Sequence, residues 1–340
     1  MAGMPATLRD VAEHAGVAVR TVSNVVSGYA HVSDRMRERV MRSIEELDYR
    51  PNPVARTLRT GRSGVLTLVV PEIEAPFFSQ QAAEIIKAAD DVGLHVIIAQ
   101  TGNDHERERQ LLLGEDRTML SDGMIFTPLV TPAELAEMKT TRSTPLVLLG
   151  EHEFDGRFDH VAIDNVAAAR DAVAHLIGLG RRRIAAIGAQ PDEEYATPRQ
   201  RTAGYVLAHE DAGLARDVAL MRPAVHYSRP EGYQAAAELL ALSDRPDAIF
   251  CYSDVLAMGA IRAVFDAGLS VPDDVAVIGV DDIEEGRYAR PSLSTVSLDL
   301  PFIAKAAIRR ITARMENPDL PARQEIAPHQ LIPRESTGRG

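Results

Sequence analysis

Six polar side chains that could do chemistry stand where short apolar runs end. Asp164 closes the run VAID, Ser253 and Asp254 follow AIFCY, Asp281 and Asp282 follow AVIGV, and Arg201 opens R-x-x-G-Y. Two aromatic residues, Phe77 and Phe78, lie beyond an earlier run, in PFF. Carboxylates and an arginine that converge on one cleft offer several oriented hydrogen bonds to hydroxyl groups. An aromatic face suits the apolar face of a sugar ring. The plainer alternatives stand beside these. An Asp or Ser at such a position can simply cap a helix, and either Phe can be core.

Catalytic chemistry finds little support. The lysines are Lys87, Lys139 and Lys305, and none follows Gly, so there is no P-loop for phosphates. No G-x-S-x-G elbow occurs. Glu151, His152, Glu153 and His160 are the closest histidine cluster, but they lack metal-ligand spacing and read as an exposed loop. Asp281 and Asp282 resemble a paired acid site only superficially. Cys251, the single cysteine, sits in an apolar run and reads as a small buried residue. The expectation is a protein that is not an enzyme and that needs no metal or cofactor.

The elements that must position these residues alternate. Strands are expected at 65–70, 95–99, 124–127, 146–149, 161–163, 184–188, 248–251 and 275–280. Helices are expected near 77–92, 104–120, 132–140, 165–179, 199–212 and 253–267. Such alternation means parallel sheets covered on both faces. Two halves are present, with a crossing near 163–165 and a return near 295–300. In open α/β sheets ligands bind beyond the strand C-termini, which is why strand-end residues are the candidates. The body resembles the type I periplasmic sugar-binding fold, two lobes around a cleft.

The N-terminal region has a different character. Residues 1–63 hold ten arginines and seven acidic residues, an excess of three positive charges. The whole 340-residue chain carries −12, which leaves −15 on the remainder. A basic piece on an acidic body points to a nucleic-acid module joined to something else, although arginine-rich helices can also be merely solvated. Thr7 can cap a helix with Asp10 in its first turn. Leu8, Val11 and Ala12 then face one side, and Gly16 ends the run as a residue at positive φ would. A second helix spans 19–26 with Val22, Val25 and Val26 apolar. Ser33 is placed to cap a third, 34–48, with Met36, Val40, Ile44 and Leu47 as its buried stripe. The pattern fits a helix-turn-helix or an ordinary three-helix bundle. Asn52, Pro53 and the stretch to Arg59 can form one further short helix, too short to be stable alone.

The stretches TLRDVAEHAGVAVRTVSNVVSG and VSDRMRERVMRSIEELDYRPNPVARTLRTGRSGVLTLVVPEI resemble the lactose-repressor (LacI/GalR) family of bacterial transcription regulators. The match runs through residues 7–73 and resumes along the body. The resemblance implies that Val19, Arg20 and Asn24 meet bases, and that Thr7, Thr21, Ser23, Tyr49 and Asn52 lie near phosphates. It places Arg56 in the DNA-binding hinge and Leu58 at the wedge that enters the minor groove. The chemistry agrees: Arg reads guanine, Asn reads adenine, and an inserted apolar side chain kinks the duplex. Ala18 stands where relatives often have Ser, and Asn24 where they often have Arg or His. The resemblance places effector contacts at Asp164, Arg201, Ser253 and Asp281, with Phe77 and Phe78 nearby.

The resulting expectation has three parts: a helix-turn-helix domain at 1–50, a hinge at 51–63, and an effector-binding and dimerisation core at 64–340. Within the core, one lobe takes about 64–163 and 296–326, the other about 164–295 and 327–340. The function implied is a homodimeric repressor of carbohydrate genes, with operator DNA and a sugar-like effector as partners. Control by a protein corepressor or a non-sugar metabolite is the alternative. No C-terminal heptad segment follows His329–Ile332, which favours a dimer. No signal peptide or apolar run of about 18 residues occurs, so the expected location is the cytoplasm.

Overall fold

The computed structural model describes residues 6–26, 29, 31–50, 62–113, 121–128, 144–150, 156–190 and 196–338. The expected helix at 132–140, the short helix after Asn52, the end of the helix at 104–120 and the Glu151–His152–Glu153 cluster lie outside them in whole or in part. The chain forms two compact units, Met1–Gly64 and Val65–Gly340.

The first unit contains α1 (Leu8–Ala15), α2 (Val19–Val26) and α3 (Asp34–Glu46). Thr7 and Asp10 form a reciprocal capping box, which satisfies first-turn N–H groups that the helix itself cannot. Gly16 turns the chain out of α1 at φ 62°, and its N–H returns to the Ala12 and Glu13 carbonyls. The core is Val11, Ala12, Ala15, Val22, Val25, Val40 and Tyr49. Two details differ from expectation. Ser33 makes no side-chain cap, because the Met36 and Arg37 N–H groups bond its backbone carbonyl instead. In α3 only Val40 of the expected stripe is fully buried; Met36, Ile44 and Leu47 are half-buried, and Ser43 is buried in their place.

Among the described residues the second unit is built on two six-stranded sheets. The first contains β1 (Val65–Val70), β2 (His95–Gln100), β3 (Gly123–Phe126), β4 (Leu146–Leu149), β5 (Asp159–Ile163) and β11 (Gln324–Ala327). Its order is β11-β5-β4-β3-β1-β2, and every pairing is parallel. The second contains β6 (Ile184–Ala189), β7 (Met221–Pro223), β8 (Ala248–Cys251), β9 (Ala276–Val280), β10 (Ser294–Leu298) and β12 (His329–Ile332). Its order is β12-β10-β9-β8-β6-β7, with only β12 antiparallel. Central strands such as β8 and β9 are unbroken apolar runs because helices cover both faces.

The covering helices are α4 (Pro76–Asp90), α5 (His105–Leu113), α6 (Asn165–Gly178), α7 (Ala196–Asp211), α8 (Arg229–Leu240), α9 (Asp254–Asp266), α10 (Glu284–Tyr288) and α11 (Leu300–Glu316). Residues 221–240 and 284–332 were unassigned from sequence. In α8 the buried side is Gly232, Ala235, Ala236 and Leu239, too small a set of side chains to print an apolar stripe. The chain crosses between sheets three times: from β5 into α6, from β10 into α11, and from β11 into β12. Residues 296–298 stay with β10, so the second crossing falls at Asp299, within the expected 295–300. His160 is a further correction. It lies in β5, 2% exposed, with its Nε2 2.8 Å from the Gly150 carbonyl, and is no part of an exposed loop.

Helices α8 and α9 touch backbone to backbone. A Cβ on Gly232 would lie 2.2 Å from the Leu256 carbonyl oxygen, and one on Gly259 would lie 2.1 Å from that of Arg229. Backbone cannot swing aside as a side chain can. Gly232→Ala and Gly259→Ala should each lower the unfolding free energy in urea by about 1–3 kcal/mol or more. Gly178→Ala, with nothing within 4 Å of its new methyl, should leave stability unchanged or raise it by up to about 1 kcal/mol.

Candidate functional site

A cavity of about 380 Å³ is lined by residues of both sheets and their helices in the second unit. Phe77 and Phe78 enter it from the first turn of α4, edge to face with ring centroids 5.3 Å apart. Pro76 at the start of α4 suits the first helical turn, where a missing N–H leaves no bond unmade. From the second sheet come Arg201, Ser253 and Asp281. Five of the six expected effector residues therefore share one wall-lined space.

Asp164 is the exception. It is exposed and not among the residues lining the cavity; its carboxylate accepts from the Ala167 N–H at 2.9 Å and caps α6. Ser253 has both characters: it lines the cavity, yet its hydroxyl accepts from the Leu256 N–H and caps α9. Sequence reasoning missed Gln81, Asn103, Thr127, Gln190, Tyr227 and Ser228 in the wall. Three of them were within reach of the strand-end rule already used, since Asn103 follows β2, Thr127 follows β3 and Gln190 follows β6.

Arg201 is 4% exposed and heavily engaged. Its Nε donates to Asn165 Oδ1 at 2.7 Å, Nη1 donates to the Tyr252 carbonyl, and Nη2 lies 4.0 Å from Asp281 Oδ1. Asp281 and Asp282 occupy φ values of 119° and 55°, a region that L side chains rarely adopt. Their neighbours hold them there. The Asp281 N–H donates to the Val296 carbonyl, and the Asp282 N–H donates to Thr295 Oγ1. The Asp282 carboxylate accepts from Arg287 at 2.8 Å and from Arg334 at 2.5 Å. Asp282 therefore anchors the turn while Asp281 faces the cavity.

Asp254 lies behind them, fully buried. One oxygen accepts from Thr295 Oγ1 at 2.7 Å and the other from the Ile283 N–H at 2.9 Å. Burial, and then the neighbouring Asp281 charge, push its carboxyl well above the usual carboxylate range. Cys251 is fully buried, and burial pushes its thiol up, away from nucleophile chemistry.

In the first unit α2 turns Val22 and Val25 into the core and leaves Val19 and Arg20 exposed. Thr21, Ser23 and Asn24 are half-buried. The Thr7 hydroxyl is engaged in the capping box. Tyr49 is 7% exposed and packs in the core, where burial raises its phenol. Asn52, Arg56 and Leu58 lie outside the described residues.

Residues 7–52 match the family described as bacterial regulatory proteins, lacI family, and residues 173–337 match a periplasmic binding protein-like domain. The HTH-type transcriptional regulator RegA of Clostridium saccharobutylicum is 31% identical over 98% of this chain and 100% of its own length. The chain belongs to the LacI family. Among solved structures it is similar to the lac repressor dimer bound to operator and the anti-inducer ONPF, with a TM-score of 0.85 and 26% identity over 99% of this chain and 100% of that one. It is also similar to the transcriptional regulator CelR in complex with cellobiose, with a TM-score of 0.71 and 30% identity over 97% and 99%. As a LacI-family member it is a DNA-binding transcription regulator with a helix-turn-helix and a periplasmic-binding-protein-like domain, and not an enzyme. No helix among the described residues is long and apolar enough to cross a membrane.

The raised Asp254 value makes stability depend on pH. A carboxyl that holds its proton more tightly when folded favours the folded state below its unfolded value, near pH 4, and that contribution disappears as pH rises through the folded value. Asp254→Asn can keep both bonds, its carbonyl accepting from Ile283 and its amide donating to Thr295. The stability of the wild type relative to Asp254→Asn, measured by urea unfolding, should therefore fall as pH rises above about 4. A gap independent of pH would place the carboxyl in the ordinary range.

Proposed function

We propose that the protein is a homodimeric repressor of carbohydrate-metabolism genes, released from or secured on a near-palindromic operator by a sugar-like effector. Residues 1–50 read the DNA, 51–63 act as the hinge, and 64–340 sense the effector and dimerise. The cavity carries this reading: two aromatic rings beside amide, hydroxyl and charged groups suit a small polyhydroxy ligand. Because the cavity is lined from both sheets, a ligand there contacts both lobes. A ligand shifts an equilibrium only as far as it prefers one arrangement. The cellobiose complex of CelR supports a sugar by analogy.

Two surfaces support the remaining parts. Val19 and Arg20 stand on the outer face of α2, where a second helix would meet the major groove. On the first sheet, edge strand β2 exposes Ile97 at 55% and Ile98 at 38%, with Val92 exposed nearby in sequence at 53%. An unpaired apolar edge invites a second copy of the chain.

Titrating an operator fragment with the full chain, with and without mono- and disaccharides and their phosphates, tests this reading. One sugar should change operator affinity by tenfold or more, in the range of about 1–3 kcal/mol usual for coupled sites. An unchanged affinity across the panel would move the reading to a non-sugar metabolite or a protein corepressor. Arg20→Ala should cost about 1–3 kcal/mol and relax preference at one base pair per half-site. Uniform weakening on all sequences would make Arg20 a phosphate contact.

A further inference from the structure

We propose that Asp281 sets the charge selectivity of the cavity: by neutralising Arg201 it admits an uncharged, hydroxyl-rich effector and turns away phosphorylated ones. This rests on the effector reading of the cavity. Among the described lining residues the charged side chains are Glu72, Arg201 and Asp281, so Arg201 is the single fixed cation and two carboxylates share the space with it. Arg201 is buried, with Nε bonded to Asn165 and Nη1 to the Tyr252 carbonyl, and its remaining nitrogen faces Asp281 at 4.0 Å. Asp281 is itself only 8% exposed and is fixed by a backbone that Asp282 anchors through Arg287 and Arg334.

A phosphate is an acceptor that needs cations or many donors. Here it would have to draw on a guanidinium whose charge is already balanced, beside a second carboxylate. Other polar groups of the wall are of another kind. Gln81, Asn103, Thr127, Gln190 and Ser228 are amides and hydroxyls, which both donate and accept. Sugar hydroxyls do the same, so each can pair without a net charge on either side. Asn103 Nδ2 also donates to Glu72 Oε1 at 2.5 Å, which engages that carboxylate within the wall.

The test uses inorganic phosphate as the probe and does not require the effector to be known. Thermal unfolding of the full chain is compared in sodium phosphate and in sodium chloride of equal ionic strength. The pH is 8, above the ordinary imidazole range. The variant is Asp281→Asn, which keeps the shape and tolerates positive φ. Wild type should show no phosphate-specific rise in Tm. Asp281→Asn should gain a saturable one, with phosphate binding tightened by about tenfold or more once the counter-charge is gone. A saturable response in wild type overturns the proposal, because the cavity then accepts anions with Asp281 in place. Silence in both proteins also overturns it, because Asp281 then does not control access to the Arg201 charge. Failure of the effector reading itself looks different: no sugar alters operator affinity, whatever the phosphate comparison gives.

Discussion

A guanidinium buried at the C-terminal end of the second sheet has to be satisfied from every side, and that requirement organises the site. An unpaired buried charge is costly, and so is an unpaired buried donor. Arg201 meets it with three partners that come from different places: Asn165 at the start of α6, the Tyr252 carbonyl just past β8, and Asp281 just past β9. The strands and helices that carry these partners must therefore end in register. Close packing repeats the constraint nearby. A Cβ on Gly188, at the end of β6, would sit 2.6 Å from the Tyr252 side chain, and one on Gly279 would sit 2.1 Å from Asp254. The glycines let the strand ends approach closely enough for one arginine to bond Asn165 and the Tyr252 carbonyl while facing Asp281.

The strain at Asp281 and Asp282 belongs to the same arrangement. Two consecutive non-glycine residues at positive φ persist only where the surroundings over-determine them. The surroundings here include the C-terminal segment. Arg334 reaches Asp282 and the Leu293 carbonyl, Ser336 accepts from the Ser294 N–H, and Glu335 accepts from Ser292. A tail that reads in sequence as a polar end thus forms the back wall that fixes a cavity-facing carboxylate. Asp254 completes it from beneath, accepting from Thr295 and Ile283, the residues on either side of that turn in space.

How much of this was legible depends on where the information is local. Strands β1, β4 and β8 were read at their observed bounds because each is an apolar run between turn signals. The turn at Gly16 was read because positive φ leaves a residue-type mark. Ser253 and Asp281 were reached because a strand-end position is a sequence position, and Phe77 and Arg201 because PFF and R-x-x-G-Y are local patterns. The tail network was not, because Asp282 and Arg334 are far apart in the chain and nothing local marks them as a pair. Helix α8 was missed for a related reason: its contact with α9 is made by absence of side chains at Gly232 and Gly259, and absence leaves no periodicity. At Asp164 the two readings stay together in sequence, because a strand-end Asp is equally a cap and one residue type cannot separate the two.

That Asp164 caps α6 gives the crossing a structural logic of its own. The chain leaves the first sheet at Asp164, with φ −80° and ψ 81°, and its side chain accepts from the N–H three residues on. It returns at Asp299, with φ −71° and ψ 78°, whose side chain accepts from the Phe302 N–H in the same way. Two crossings in opposite directions use the same local device, a single Asp that ends a strand and starts a helix. The third passes through Pro328, between β11 and β12. Each crossing is short, and none carries a free loop that could absorb a large displacement. Relative movement of the two sheets is therefore confined to a few backbone dihedrals at three neighbouring points, the geometry of a hinge. The cavity lies between residues of both sheets, with Phe77 and Phe78 on one and Arg201 and Asp281 on the other. A ligand that bonds both sides biases that hinge through the two rigid walls, with no need for any change inside either sheet.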